Sequence, residues 1–249
     1  MRAPPQARLF EVWERGCSEN PLRRSLALLA AALPGVDEDT LARSTVGRRD
    51  AALLGLRAAT FGPVLRSITE CPECGAELES AFPVDDLLIR PPAVPDGAAL
   101  HRVEEAGFAV EFRLPSVADL LEVAEGAQRQ GLDQARRDLL SRCVAAARRG
   151  EEPVPFEALP PETLAAVSEA MAAIDPQADL RLEFRCPACS HRWEAPFDIA
   201  AFLWTELAAA VQRTAREVHA LASAYGWSEA DILSMSAARR RLYLEQVAG

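Results

Sequence analysis

The first 65 residues place their apolar positions at helical spacing. Asn20 before Pro21 reads as an N-cap with proline at the first helical position, and Leu22, Leu26, Leu29 and Leu33 then form one stripe until Pro34-Gly35 ends it. A second helix is predicted over 46–60, capped by Thr45, carrying Leu53, Leu54, Leu56 and Phe61, and stopped at Phe61-Gly62-Pro63. The period then changes to two. Val64 to Thr69 reads as a strand, His101 to Glu104 and Phe108 to Leu114 as a hairpin around Glu105-Ala106-Gly107, and Asp179 to Arg185, with Leu180, Leu182 and Phe184 alternating, as a further strand. Residues 90–98 hold Pro91, Pro92 and Pro95 and read as a linker. Ser116 with Asp119 starts another helix, and helices are expected over 132–149 and 161–174. Helix returns over about 199–224 and breaks at Tyr225-Gly226-Trp227-Ser228. It resumes as a short helix started by Ser228 and Asp231, then as a last amphipathic helix capped by Ser236 and carrying Leu242, Leu244 and Val247.

The pattern predicts an α+β chain, predominantly α-helical, with its strands delivering two special turns. These are Cys71-Pro72-Glu73-Cys74 and Cys186-Pro187-Ala188-Cys189, and laying one on the other at an offset of 115 positions also matches Glu79 with Glu194, Phe82 with Phe197 and Leu78 with Trp193. Two residues between ligands let one tight turn present both sulfurs, and four thiolates close the tetrahedron of a structural zinc. Proline fixes φ after the first cysteine, and Gly75 supplies freedom after the second, where the other knuckle has Ser190. Cys71, Cys74, Cys186 and Cys189 are therefore the expected ligands of one structural Zn2+ in a zinc ribbon of two β-hairpin knuckles. The knuckles are separated by 111 residues, and closing such a loop costs roughly 4 kcal/mol plus a constant. Structural zinc, worth about 10–16 kcal/mol in small peptides, can offset that. A redox Cys-x-x-Cys would open a helix after a strand, whereas 75–84 and 190–199 read as extended arms. A catalytic zinc would recruit a histidine or carboxylate, and His191 is the only histidine beside a knuckle.

The chain then divides into an N-terminal helical region (1–65), the ribbon (66–90 with 180–198), an inserted hairpin and helices (91–179) and a C-terminal helical region (199–249). Its charge is uneven. Of 27 basic residues, all arginine, and 37 acidic ones, residues 71–198 carry 12 and 24. The acidity thus sits between the knuckles, the opposite of a phosphate-binding surface, and nucleic acid is disfavoured as a partner. Short arginine clusters such as Arg239, Arg240 and Arg241 read either as a phosphate contact or as a solvated helix face. No apolar run reaches the roughly 18–20 residues that span a bilayer, and Met-Arg-Ala-Pro-Pro is no secretory signal, so a cytoplasmic protein without a membrane partner is expected. Reducing conditions there suit zinc thiolates, and Cys17 and Cys143 read as ordinary isolated cysteines. A Ser-His-Asp or Cys-His arrangement needs a histidine as base, and of the three histidines, His101, His191 and His219, none lies in a catalytic motif.

Three stretches resemble the T-even-type phage baseplate hub proteins and hub assembly chaperones, including their relatives in phage-like contractile injection systems. They are Val46-Gly47-Arg48-Arg49-Asp50 through Leu53-Leu54-Gly55-Leu56-Arg57 to Thr60-Phe61-Gly62; the first knuckle with Glu77 to Leu87; and Ala224-Tyr225-Gly226-Trp227-Ser228 through Asp231-Ile232-Leu233-Ser234-Met235, followed by Arg239 to Leu244. The resemblance implies a non-enzymatic baseplate component or assembly factor, cytoplasmic or incorporated in a tail-like particle, with baseplate hub, spike or wedge proteins as partners. Trp227, Ile232, Leu233, Met235 and Tyr243 form the expected partner-binding surface, or else pack on the preceding helix. The alternative function is a zinc-ribbon nucleic-acid-binding or transcription-associated protein, and a third class, a zinc hydrolase, requires a metal with an open position.

Overall fold

The computed structural model describes residues 2–89 and 99–248; the linker expected over 90–98 lies outside the described residues. Four helices open the chain: α1 (Gln6–Gly16), α2 (Pro21–Ala32), α3 (Glu38–Ala42) and α4 (Val46–Phe61). The Asn20 side chain accepts from the Arg23 N–H at 2.9 Å, and Thr45 accepts from the Arg48 N–H at 3.3 Å, so both sequence-marked caps hold helix starts. Strands β1 (Val64–Glu70) and β2 (Glu77–Pro83) then form an antiparallel hairpin with the first knuckle at its tip, followed by the short α5 (Val84–Leu87). The matching hairpin is β7 (Arg181–Arg185) with β8 (Arg192–Pro196). It leads into the 27-residue α9 (Ile199–Tyr225) and on to α10 (Glu229–Ser234) and α11 (Ala237–Ala248).

Helices α1, α2, α4 and α9 share one core with the roots of both hairpins. Val12, Leu28, Leu29, Leu53, Leu54 and Leu56 pack there with Leu203, Leu207 and Val211, and Leu65 of β1 and Leu182 of β7 reach into the same cluster. An ion pair crosses it. The buried Arg57 of α4 donates from Nε and Nη2 to Glu206 of α9 at 2.8 and 2.7 Å, and from Nη1 to the Gly62 carbonyl at 2.9 Å. The bidentate fork fixes the spacing and orientation of two long helices.

Between the hairpins lies a module with its own apolar cluster. Strands β3 (His101–Glu105), β4 (Phe108–Phe112), β5 (Val144–Arg149) and β6 (Glu152–Pro153) form one antiparallel sheet, accompanied by α6 (Val117–Gln130), α7 (Leu132–Cys143) and α8 (Pro161–Ile174). Val110, Phe112, Leu114, Leu140, Leu164 and Val167 pack with Cys143 at its centre. The helix expected over 132–149 ends at Cys143, and its last six residues are β5. Val144-Ala145-Ala146-Ala147 suits a helix by local propensity, but pairing with β4 decides its state. Asp119 starts α6 in a full capping box with Ser116. Burial alone would raise its carboxyl, but the Arg113 fork and the Ser116 bonds hold it well below the usual carboxylate range.

The module is closed at its base by buried polar contacts. Gln177 donates to the Leu87 carbonyl at 3.2 Å and accepts from the Ile89 N–H at 2.8 Å, which ties the end of the module to its beginning. Asp175, at the end of α8, accepts from the Gly47 N–H at 3.0 Å, adding a negative charge where the α4 dipole is positive. A Cβ on Gly47 would lie 1.9 Å from Asp175 Oδ1. Gly47→Ala is therefore expected to lose on the order of 3 kcal/mol in thermal denaturation, from overpacking and an unmade buried hydrogen bond, despite the better helix propensity of alanine. The pair Gly47→Ala with Asp175→Ala should recover part of that loss. A single variant as stable as the parent would show that the contact does not hold the module.

Candidate metal centre

Each knuckle is a tight turn built by the same two backbone bonds. In the first, Gly75 N–H donates to the Cys71 carbonyl and Cys71 N–H to the Ala76 carbonyl, both at 2.9 Å; in the second, Ser190 donates to Cys186 at 3.0 Å and Cys186 to His191 at 2.9 Å. The turn needs a left-handed residue after the second cysteine, and Gly75 has φ +71°. Ser190 takes the same conformation at φ +62° without the freedom of glycine, so the turn geometry outweighs the residue's own preference.

The turns bring Cys71, Cys74, Cys186 and Cys189 together, with all four sulfurs within 4.8 Å of one another. Cys71 Sγ lies 3.7 Å from Cys189 Sγ, and Cys74 Sγ lies 3.6 Å from Cys186 Sγ. Both contacts are too long for a disulfide, whose bond is about 2.05 Å. They are close to the edge of a tetrahedron of thiolates around an ion at zinc–sulfur distance, about 3.8 Å. The four cysteines therefore fit one metal ion, and His191 is not in that group. The first cysteine of each knuckle is buried and the second exposed. Leu78 and Trp193, the pair matched by the sequence offset, pack with Cys71 and Cys186 on the protein side. His191 instead stacks on Trp193, with ring centroids 5.8 Å apart.

Crowding polarises the thiols. The Cys189 and Ala188 N–H groups favour the Cys186 thiolate and bring it down to about 7. At Cys189 the His191 N–H also favours the thiolate, but local desolvation of the sulfur and the three neighbouring sulfurs push it up to about 12. Four negative sulfurs cannot share this volume unaided, and a bound cation reverses that balance. Phe82 meets Phe184 edge-on at 5.9 Å and Phe184 stacks on Trp193 at 5.3 Å, so an aromatic seam joins the hairpins between metal site and helical core.

The family model described as T4 bacteriophage base plate protein matches residues 28–204. The chain belongs to this base plate protein family. The matched span takes in α4, both knuckles and the inserted module, and stops early in α9. No curated protein and no solved structure matches the chain. Family membership supports a structural baseplate role in association with other baseplate components. Among the described residues no helix is long and apolar enough to cross a membrane.

The segment beyond the matched span holds the other sequence-marked residues. Trp227 stacks on Tyr225 at 4.5 Å and meets Tyr243 edge-on at 4.8 Å, which locks α11 against the end of α9. Ile232 is fully buried, and Leu233, Met235, Trp227 and Tyr243 are half-buried. Arg240 is neither a solvated face residue nor open to phosphate. It is 1% exposed, donating at 2.8 Å both to Glu217 and to the Met235 carbonyl. Its neighbours Arg239 and Arg241 are exposed. The arginine run alone hid this division, because the burial of its middle member depends on α9.

Proposed function

We propose that this baseplate-family protein is a non-enzymatic component or assembly factor of a contractile phage tail or phage-like contractile injection system, stapled by one structural zinc. The observation that carries the metal reading is the closed set of four sulfurs, which leaves no open position for a substrate or an activated water. Thiolates select zinc among the common divalent ions, and a tetrahedral four-sulfur site is its usual structural setting. The zinc joins the two hairpin tips and staples the α-rich scaffold, while the terminal helices engage hub, spike or wedge proteins.

The partner-facing element in this reading is the C-terminal helical hairpin. Ile232 shapes it from within, and the accessible parts of Trp227, Leu233, Met235 and Tyr243, with the exposed Leu242 and Val247, form its docking surface. The test is deletion of residues 225–249, which lie away from the cysteines. Zinc content should remain that of the intact chain, while co-purification with co-expressed baseplate proteins should fall by at least tenfold. Undiminished co-purification would place the docking surface elsewhere on the chain.

A further inference from the structure

The outer face of the β7–β8 hairpin carries an arrangement that the isolated chain does not satisfy. Arg185 pairs in register with Arg192, and in the next outward-facing row Glu183 pairs with Glu194. All four residues are exposed, and alternation along each strand puts them on one face, opposite Phe184 and Trp193. Like charges directly opposite each other on a sheet are unfavourable. Among the described residues none of the four has an ion-pair partner, although ion pairs form elsewhere on the chain, including Arg181 with Asp179 at the root of β7.

A two-fold axis turns this defect into a complement. We propose that the outer face of the β7–β8 hairpin is a contact between two copies of this chain. An axis running across the strands midway between the two rows sets the Glu183–Glu194 row of one copy over the Arg185–Arg192 row of the other. Each glutamate then faces an arginine, Glu183 opposite Arg185 and Glu194 opposite Arg192, and the same four residues serve both copies, as an isologous interface requires. Charge complementarity of this kind steers approach and fixes register. The face is small, about 17 Å along the strands and about 10 Å across, well below the area of a standard interface. The contact is consequently weak, salt-sensitive, and suited to copies held close together by a larger assembly.

Two charge-reversal variants test it. Glu183→Arg with Glu194→Arg makes the face wholly basic, and Arg185→Glu with Arg192→Glu makes it wholly acidic. By sedimentation at sub-millimolar protein and low salt, the parent chain should form a dimer that dissociates as salt rises toward about 1 M, where the screening length is roughly 3 Å. Each variant alone should stay monomeric, and an equimolar mixture should regain the dimer. Metal content and circular dichroism unchanged from the parent establish that each variant is folded. A monomeric parent would overturn the proposal. So would a basic variant that still self-associates, since it would then be meeting another acidic face such as that of Glu70, Glu77 and Glu79. Failure of the mixture to associate would count against the row-to-row arrangement equally.

Discussion

Replacing Cys186 with serine is expected to reduce bound zinc from one ion per chain to near zero, measured by elemental analysis after dialysis. The thiol is buried beside Cys71, with Leu78 and Trp193 packed around them. The other three cysteines cannot close a tetrahedron, and serine offers no thiolate in return. The expected stability loss is on the order of 4 kcal/mol or more, taking loop closure as the scale, or about 10 °C in Tm for a chain of this size. The loss should begin at the hairpin tips. Asp175 and Gln177 close the inserted module at its base independently of the metal, and the hairpin roots are held by Leu65 and Leu182 in the main core. Limited proteolysis should therefore open the two knuckles first and spare the module. Cys17→Ser and Cys143→Ser are the controls and should leave zinc unchanged, since Cys17 is exposed outside the cluster and burial pushes the Cys143 thiol up to about 11. Full zinc retention in Cys186→Ser would mean that the four cysteines do not share one ion.

The second large effect is expected at Arg57. Arg57→Met keeps most of the buried aliphatic volume but leaves Glu206 facing the core edge without its fork, and the Gly62 carbonyl without a donor. Breaking one side of a buried ion pair costs about 3–5 kcal/mol, and the lower end applies here because the Glu206 side chain is 26% exposed. Adding Glu206→Met to that variant should restore much of the stability, because a packed apolar pair can replace a buried ionic one at little net cost. Chemical denaturation of the parent, both single variants and the double variant gives the coupling directly. An Arg57→Met variant within about 0.5 kcal/mol of the parent would show that the fork does not hold α4 against α9.

Much of this architecture was legible because local signals agreed with the tertiary answer. Asn20, Thr45 and Ser116 cap the helices that their positions announce, and the Cys-Pro-x-Cys turns meet although 111 residues separate them. Residues 144–149 depart from their local signal for a definite cause: an alanine-rich run favours helix locally, and only the nonlocal pairing with Phe108–Phe112 makes it a strand. Nothing in the sequence marks Arg49, Arg57 or Arg240 as buried, yet all three are. Arg57 and Arg240 are buried against partners far along the chain, Glu206 and Glu217, while Arg49 pairs through Nε with its neighbour Asp50 and leaves a solvent-shielded Nη1 without a hydrogen-bond partner. Gly47 lies in a family-like stretch with no local mark of its role, and its reason is the Asp175 carboxylate set against it. The charge rows on β7 and β8 were present in the sequence from the start, but they acquire meaning only through the register that places like on like.

Gradient fractionation of lysate from cells that produce the tail-like system decides whether this chain works at a baseplate. A tagged, zinc-loaded chain is expected to sediment with baseplate proteins, in whole particles if it is a component or in lighter assembly intermediates if it departs before completion, and nuclease treatment should not move it. Sedimentation as a free protein, or in a complex that nuclease disperses and that lacks tail proteins, would show that it does not work at a baseplate.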